Sequence, residues 1–362
     1  MKQARELEVA LGERSYPILA GPGLLQNRPS LERGLGSGPC FVVSDHNVAE
    51  FYLPALREQL GERMVGKHVL PAGEASKSLQ HFGELHDAFA EAGLPRDGQV
   101  LALGGGVVGD LAGFAAATWH RGVDLIQLPT SLLAQVDSAV GGKTAINHSS
   151  GKNLIGAFHQ PRAVLADTDT LATLPDREYR AGLAEVVKHA VIADPHFLHW
   201  LEARVRPLLE REPETLGDTV IACCRIKAEI VSEDERERGR RAILNFGHTF
   251  GHAIETATPN GEWLHGEAVA AGMVQALELS RSLGKIDEAY RDRITGLLAA
   301  LGLPVEAPRL TQEEWLKHMG RDKKVIDGQL RFVIVDGPGS AQVTTAVTPS
   351  QLEAVLKWSP SA

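Results

Sequence analysis

The chain has 362 residues, 23% charged and 43% hydrophobic, enough for two ordinary globular domains. Its net charge of −9 argues against a general binder of nucleic acid or of an anionic membrane surface, since either needs basic patches. Three cysteines without framework spacing argue against a disulfide scaffold, and no apolar run approaches the roughly 18 residues of a membrane helix.

In chain order, MKQARELEVALGERSYPIL carries acids early and lacks a long apolar core. It predicts no signal peptide and hence a cytoplasmic protein. CFVVSD (40–45) reads as a buried strand ending in a polar turn, and residues 78–94 as a helix ending near Gly93. Residues 99–106 read as a strand running into glycines, with further strands at 123–131 and 162–167. Strands alternating with helices imply an α/β domain with a parallel sheet covered on both faces. From Pro175 to about residue 303 the pattern is helical, and Pro175-Asp176 is a good helix start. The domain boundary is therefore expected near Leu174. LRFVIVDG and AQVTTAV predict a short strand pair, followed by a last helix at about 349–358. Cys223 and Cys224 lie in an apolar helical run and read as core packing. The charge run 232–241 reads on composition as a solvated helix end.

LALGGGVVGD places Gly104, Gly106 and Gly109 in G-x-G-x-x-G spacing after a strand. Such glycines let backbone N–H groups approach a pyrophosphate at a helix N-terminus. The loop lies mid-domain, and the next strand ends in Pro-Thr-Ser rather than in an acid, so a plain strand-to-helix turn is the competing reading. If a dinucleotide binds, Asp45 is the first choice to hold its ribose and Glu74 the second. The segment 137–161 then puts Lys143, Lys152 and Asn153 on glycine-rich backbone, which predicts a loop binding phosphate or carboxylate.

LNFGHTFGHAIETATPNGEWLHGE holds His248, His252 and His265. His248 and His252 are one helical turn apart and share a face. A carboxylate would complete an open zinc site, and Glu185, among apolar neighbours, would be expensive to bury unpaired. His189, one turn beyond Glu185, is a rival partner. From spacing alone His248 and His252 are the pair, completed by His265 or Glu185.

These segments, with AEVVKHA, HGEAVAAGM and RDKK, resemble the 3-dehydroquinate synthase family over about residues 45–331. The resemblance implies a Rossmann-like NAD-binding α/β domain at 1–174 and a mainly α-helical metal-binding domain at 175–362. It makes Glu185, His248 and His265 the ligands of zinc or cobalt, and turns His252 into a substrate contact. It implies NAD contacts at Asp45, Asn47, Glu74, Lys77, Gly106, Val107, Val108, Gly109, Asp110, Thr130, Ser131, Lys143, Lys152, Thr170 and Thr173. Contacts to a sugar-phosphate substrate would be Asp137, Lys143, Asn153, Lys188, Lys227, Glu237, Arg241, Asn245, His252 and one of Lys323 and Lys324. Arg121 matches a residue that reaches the neighbouring subunit's substrate, which implies a homodimer.

The implied reaction turns 3-deoxy-D-arabino-heptulosonate 7-phosphate into 3-dehydroquinate and phosphate. It runs through transient oxidation by NAD⁺, phosphate β-elimination, re-reduction and intramolecular aldol closure. Departures from the family pattern are the serines of HSSGKN and the Trp-His before Arg121. The rival readings are a sugar-phosphate cyclase whose substrate lacks the carboxylate and a metal-dependent alcohol or glycerol dehydrogenase, which would release NADH.

Overall fold

The computed structural model describes residues 4–259, 261–319, 330–358 and 360. The chain forms two compact units, Met1–Leu174 with Arg211–Glu235, and Pro175–Glu210 with Arg236–Ala362.

The first unit is built on a seven-stranded sheet. Its strands are β1 (Arg5–Val9), β2 (Tyr16–Gly21), β3 (Cys40–Asp45), β4 (Met64–Leu70), β5 (Gln99–Gly104), β6 (Asp124–Pro129) and β9 (Ala163–Asp167). Their order is β1-β2-β9-β6-β5-β3-β4, parallel except for β1 against β2. Helices α1 (Arg28–Gly34), α2 (His46–Leu60), α3 (Leu79–Glu91) and α4 (Gly106–Thr118) connect the strands. Alternate residues feed two cores: Phe41, Val43, Val100 and Ala102 pack with Phe89 and Leu111, while Val42, Leu101 and Leu103 pack with Leu53 and Leu56. A strand buried on both faces has no polar side, so CFVVSD and QVLALG read as unbroken apolar runs. The sequence reading found those and missed β1, β2 and β4. β1 and β4 are the sheet edges, where RELEV alternates charge with apolar residues and MVGKHVL is interrupted by Gly66, Lys67 and His68. Two further strands, β7 (Lys143–His148) and β8 (Gly151–Phe158), pair antiparallel, Ile146 opposite Ile155. The segment expected to be a polar loop is therefore a β-hairpin.

One helix crosses the expected division. α8 (Pro213–Glu233), assigned by sequence to the second domain, belongs to the first unit. Arg5 Nε donates to Asp218 Oδ1 at 2.6 Å, the Cys224 thiol donates to the Gln135 carbonyl at 3.2 Å, and Lys227 bonds Asp137. Its helical period was readable, but the surface it packs on was not. Cys223 and Cys224 are fully buried, and burial pushes the Cys224 thiol up to about 12.

The second unit is helical: α5 (Asp176–Ala193), α6 (Pro195–Glu202), α7 (Val205–Leu209), α9 (His248–Ala257), α10 (His265–Ser282), α11 (Glu288–Ala300), α12 (Gln312–Met319) and α13 (Pro349–Lys357). The predicted strand pair is present as β10 (Phe332–Gly337) and β11 (Ser340–Thr344). Both α5 and α10 are buried over most of their length, α10 through a run of small residues, AVAAGM. No helix among the described residues is long and apolar enough to cross a membrane.

Candidate active site

In the first unit, strands added after β3 go to opposite sides of it: β4 to one, then β5, β6 and β9 to the other. The carboxyl ends of β3 and β5 therefore border a topological switch point, where open α/β sheets bind ligands. Asp45 ends β3 and Gly104 ends β5, so the predicted acid and glycine loop meet at one crevice. The first bond of α4 runs from the Gly109 N–H to the Gly105 carbonyl at 3.0 Å. That leaves the N–H groups of Gly106, Val107 and Val108 without a helical acceptor, an arrangement suited to an anion. The Val108 side chain is core, so only its backbone can serve a ligand. Asp45 Oδ1 caps α2, accepting from the N–H groups of Asn47 at 2.9 Å and Val48 at 3.1 Å. Burial pushes its carboxyl above the usual carboxylate range.

A polar chain runs from α4 to the hairpin. Lys77 is buried and donates to Asp110 Oδ2 at 2.6 Å and to Asn153 Oδ1. Burial pushes the Asp110 carboxyl up, against the opposing pull of the Lys77 ammonium. Asn147 Nδ2 donates to Glu74 Oε1 at 2.7 Å, and the Asn147 side-chain oxygen accepts the N–H of Asn153 at 2.9 Å. Asn153 has φ 55°, a left-handed backbone held by these two contacts. Lys143 and Lys152 are exposed on the same hairpin. Thr130 donates its N–H to Gly104 at 3.0 Å, and the Ser131 hydroxyl accepts the N–H of Ala134. Thr173 is exposed beside Tyr52. Thr170 is buried, as Lys77 and Thr130 are, and its hydroxyl is used within the unit, donating to the Asp167 carbonyl and accepting from Gln135. Its hydroxyl braces the floor of the unit.

Asp137 sits in one π-helical turn, Ala134–Ser138, a distortion often kept for function. The turn brings both its carbonyl and its carboxylate to Lys227 of α8, at 2.6 and 2.8 Å. Gln135, fully buried in the same turn, donates to Pro129, Asp167 and Thr170 and so fixes it. Gln135 carried no signal in the sequence.

In the second unit, α5, α9 and α10 bring Glu185, His248 and His265 together. One ligand atom from each lies within 4.8 Å of the others. Glu185 Oε1 is 3.6 Å from His248 Nε2 and 3.7 Å from His265 Nε2. These separations exceed a hydrogen bond. They are close to the edge of a coordination tetrahedron, roughly 3.3–3.6 Å for ligands at zinc's usual reach. Glu185 is fully buried and neither of its oxygens accepts a hydrogen bond of normal geometry among the described residues. Buried Lys188 supplies a counter-charge, as an ion pair with Glu185 Oε2. An unbonded carboxylate oxygen facing two imidazole nitrogens fits a divalent cation. His248 Nδ1 stands 3.1 Å from the Phe246 carbonyl, which holds its proton there and turns the Nε2 lone pair toward Glu185.

Close backbone contact makes this convergence possible. A Cβ on Gly266 would lie 1.9 Å from the Ala181 carbonyl oxygen of α5, and one on Gly272 would lie 2.2 Å from that of Gly247, just before α9. The start of α10 is also clamped. Glu267 Oε2 accepts the Leu264 N–H at 2.8 Å, and Arg177 forks both Glu267 oxygens at 2.7 Å.

The spacing-based pair fails here. His248 and His252 do share a helix face, with ring centroids 5.4 Å apart, but His252 groups with Glu255 and His265 rather than with Glu185. Helical spacing puts two rings side by side without aiming both at one point. His189 lies outside both groups. Nearby, Asn245 Nδ2 donates to Glu237 Oε1 at 2.7 Å, Glu237 having φ 54°, and Arg241 is 1% exposed. Glu237 and Arg241 belong to the stretch read by composition as a solvated helix end. That reading fails for them, because one caps a neighbour's amide and the other is buried. Arg121 is exposed on a turn where it and His120 are both left-handed, at φ 70° and 48°. Lys323 and Lys324 lie outside the described residues.

Comparison with known proteins gives consistent matches. Residues 67–181 match the family "3-dehydroquinate synthase N-terminal" and residues 182–325 the family "3-dehydroquinate synthase C-terminal". The chain is 52% identical to the 3-dehydroquinate synthase of Acidithiobacillus ferrooxidans (strain ATCC 53993) over 98% of both chains. Among solved structures it is similar to a 2-deoxy-scyllo-inosose synthase complexed with carbaglucose-6-phosphate, NAD⁺ and Co²⁺ (TM-score 0.88, 28% identity, covering 98% of this chain and 99% of that one). It is also similar to the 2-epi-5-epi-valiolone synthase of Streptomyces hygroscopicus with NAD⁺ and Zn²⁺ bound (TM-score 0.87, 32% identity, 96% and 97% covered).

Proposed function

Because the chain belongs to the 3-dehydroquinate synthase family, we infer that it is a phosphate-eliminating lyase of that activity. It converts 3-deoxy-D-arabino-heptulosonate 7-phosphate to 3-dehydroquinate and phosphate, the step that places it in the shikimate route to aromatic amino acids. The observation that carries the chemistry is the buried Glu185 carboxylate, whose Oε1 faces two imidazole nitrogens while Oε2 pairs with Lys188.

We assign the divalent ion to Glu185, His248 and His265, with zinc first and cobalt second on the nitrogen-rich donor set. We assign NAD to the switch-point crevice. Its pyrophosphate would be held by the N–H groups of Gly106, Val107 and Val108 beside Gly109, and its ribose by Asp45. Asn47, Glu74, Lys77, Asp110, Thr130, Ser131, Lys143, Lys152 and Thr173 complete that assignment, and Thr170 supports it from beneath. When bound, the ion supplies Lewis acidity to a substrate hydroxyl and NAD a reversible hydride acceptor. Lys143, Asn153, Lys188, Lys227, Arg241 and Asn245 bind the carboxylate and phosphate of the substrate and orient it, with one of Lys323 and Lys324 added. Asp137 holds Lys227 in place, as Glu237 holds Asn245. His252, half-buried beside the ligand set, is the group we assign to move a proton near the phosphate.

We place the protein in the cytoplasm as a homodimer in which Arg121 reaches the partner's substrate. Its exposed guanidinium makes no ion pair among the described residues, which leaves it available for that contact. Sedimentation reads the mass directly, and a monomer with full activity would sink this assignment.

The test is phosphate release from 3-deoxy-D-arabino-heptulosonate 7-phosphate with substoichiometric NAD⁺, before and after chelation and zinc restoration. The expected result is phosphate in many-fold excess over NAD⁺, lost on chelation and regained with zinc. Turnover of sedoheptulose 7-phosphate alone would make the protein a different cyclase, and NADH accumulating on simple polyols would make it a dehydrogenase. In the same assay His252→Ala keeps substrate binding and loses about 10²–10⁴-fold in rate. Near-normal turnover would remove His252 from proton transfer.

A further inference from the structure

From the second unit we infer that Glu255 is a positioning residue for the ion: it fixes the tautomer and ring direction of His265. The inference rests on the reading of Glu185, His248 and His265 as the ligand set.

Glu255 lies on α9, on the face that also carries His252 one turn and His248 two turns earlier. Its side chain is 12% exposed, a costly place for a carboxylate without a dedicated partner. Its Oε2 is 3.2 Å from His265 Nδ1. The other nitrogen of that ring, Nε2, is the one 3.7 Å from Glu185 Oε1. The two faces of the imidazole thus have different uses. A neutral imidazole carries one proton, and an acceptor at Nδ1 places it there. Nε2 is left with a lone pair directed at Glu185 and His248. A carboxylate at Nδ1 also makes Nε2 a better donor to a cation, through the partial negative charge it induces on the ring.

His248 supports this by contrast. It uses a main-chain carbonyl, that of Phe246, for the same purpose. A carbonyl is fixed by the backbone and cannot be lost by substitution. His265 is the first residue of α10, preceded by a loop, and among the described residues its Nδ1 faces Glu255 rather than a main-chain carbonyl. Its ring is 36% exposed, so without an anchor it could turn to water. Glu255 reaches it from a neighbouring helix, and Arg177 with Glu267 fixes the backbone from which the ring hangs.

The same three groups, His252, Glu255 and His265, would alternatively form a second cation site. The geometry favours the positioning role. One ring cannot present lone pairs on both nitrogens without losing its last proton, so a cation at Nδ1 competes with the ligand set at Nε2.

The test measures zinc affinity of the purified chain by competition with a chromophoric chelator, together with the ¹⁵N shifts of the His265 ring. Glu255→Ala is expected to weaken zinc binding about 10–100-fold. Glu255→Gln, which keeps a neutral acceptor, should recover much of that loss, and the unfolding midpoint in chelator should be unchanged in both. The Nδ1-protonated signature should persist in the parent and in Glu255→Gln and be lost in Glu255→Ala. Parent-like affinity in Glu255→Ala, or a loss explained by a lowered midpoint, overturns the proposal. Two ions bound by the parent, with only the weaker lost in Glu255→Ala, makes Glu255 a ligand instead and overturns it too. His248→Ala is the separate control: retained tight binding there refutes the ligand set itself, whatever Glu255 does.

Discussion

Glu185→Gln is expected to abolish catalysis, with phosphate release falling at least about a thousandfold and zinc affinity at least about a hundredfold. Gln keeps the size of the side chain but offers a cation only a neutral oxygen. The substitution also changes stability, through Lys188. Both side chains are buried, and Lys188 pairs with Glu185 one turn apart on α5. Removing one partner leaves an ammonium in a low-dielectric interior, which typically costs about 3–5 kcal/mol. The single variant should therefore also lose stability in the metal-free form. Glu185→Gln combined with Lys188→Met removes both charges. Measured by denaturant unfolding in chelator, this double variant should be at least as stable as the parent, because desolvating a buried pair offsets most of its attraction. It should remain inactive. A double variant that is both stable and active would show that the buried pair serves neither ion nor substrate. A stable, inactive one shows that the pair is retained at a cost in stability, as expected of a site.

Much of this was readable in the residues, for identifiable reasons. CFVVSD and QVLALG announce the central strands because a doubly covered strand cannot carry polar side chains. The edge strands RELEV and MVGKHVL give no such signal, because the polar residues that suit an edge break the apolar run. KTAINH and GKNLIGAF read as a loop because glycines, lysines and asparagine outweigh a weak two-residue alternation. The ligand set shows the limit of spacing most clearly. His248 and His252 satisfy the one-turn rule, yet the other two points of the triangle around His248 come from two other helices, and which atoms converge depends on how three helices cross. The same holds for Glu255: HAIE places it on the histidine face, but nothing in the sequence says that His265 folds back to meet it.

That crossing depends on glycine, and it gives the second large effect. Gly266→Ala is expected to cost zinc affinity out of proportion to stability, while Gly272→Ala should cost both. A Cβ at 266 would sit 1.9 Å from the Ala181 oxygen, which lies one turn before Glu185 on α5. Main chain cannot rotate out of the way as a side chain can, so α10 must lift from α5 by about 1 Å or more. Metal sites require ligand distances within about ±0.2 Å, so a shift of that size removes His265 from the set. The packing cost itself is about 1–3 kcal/mol, the usual range for inserting one extra carbon into a close-packed contact. At 272 the added Cβ meets the Gly247 oxygen at 2.2 Å and the Gly251 nitrogen at 2.7 Å, wedging α10 from α9 along the middle of the seam. Its stability loss should therefore exceed that of Gly266→Ala. Gly296→Ala is the control. Gly296 lies inside α11 with nothing within 4 Å of its added carbon, so this change should stabilise by about 0.5–1 kcal/mol and leave zinc affinity alone. Unfolding midpoints in chelator and zinc competition, measured on all three, separate the two effects. If Gly266→Ala binds zinc like the parent, the α5–α10 contact does not set the ligand geometry, and the ligands must be aligned by Arg177, Glu267 and Glu255 alone.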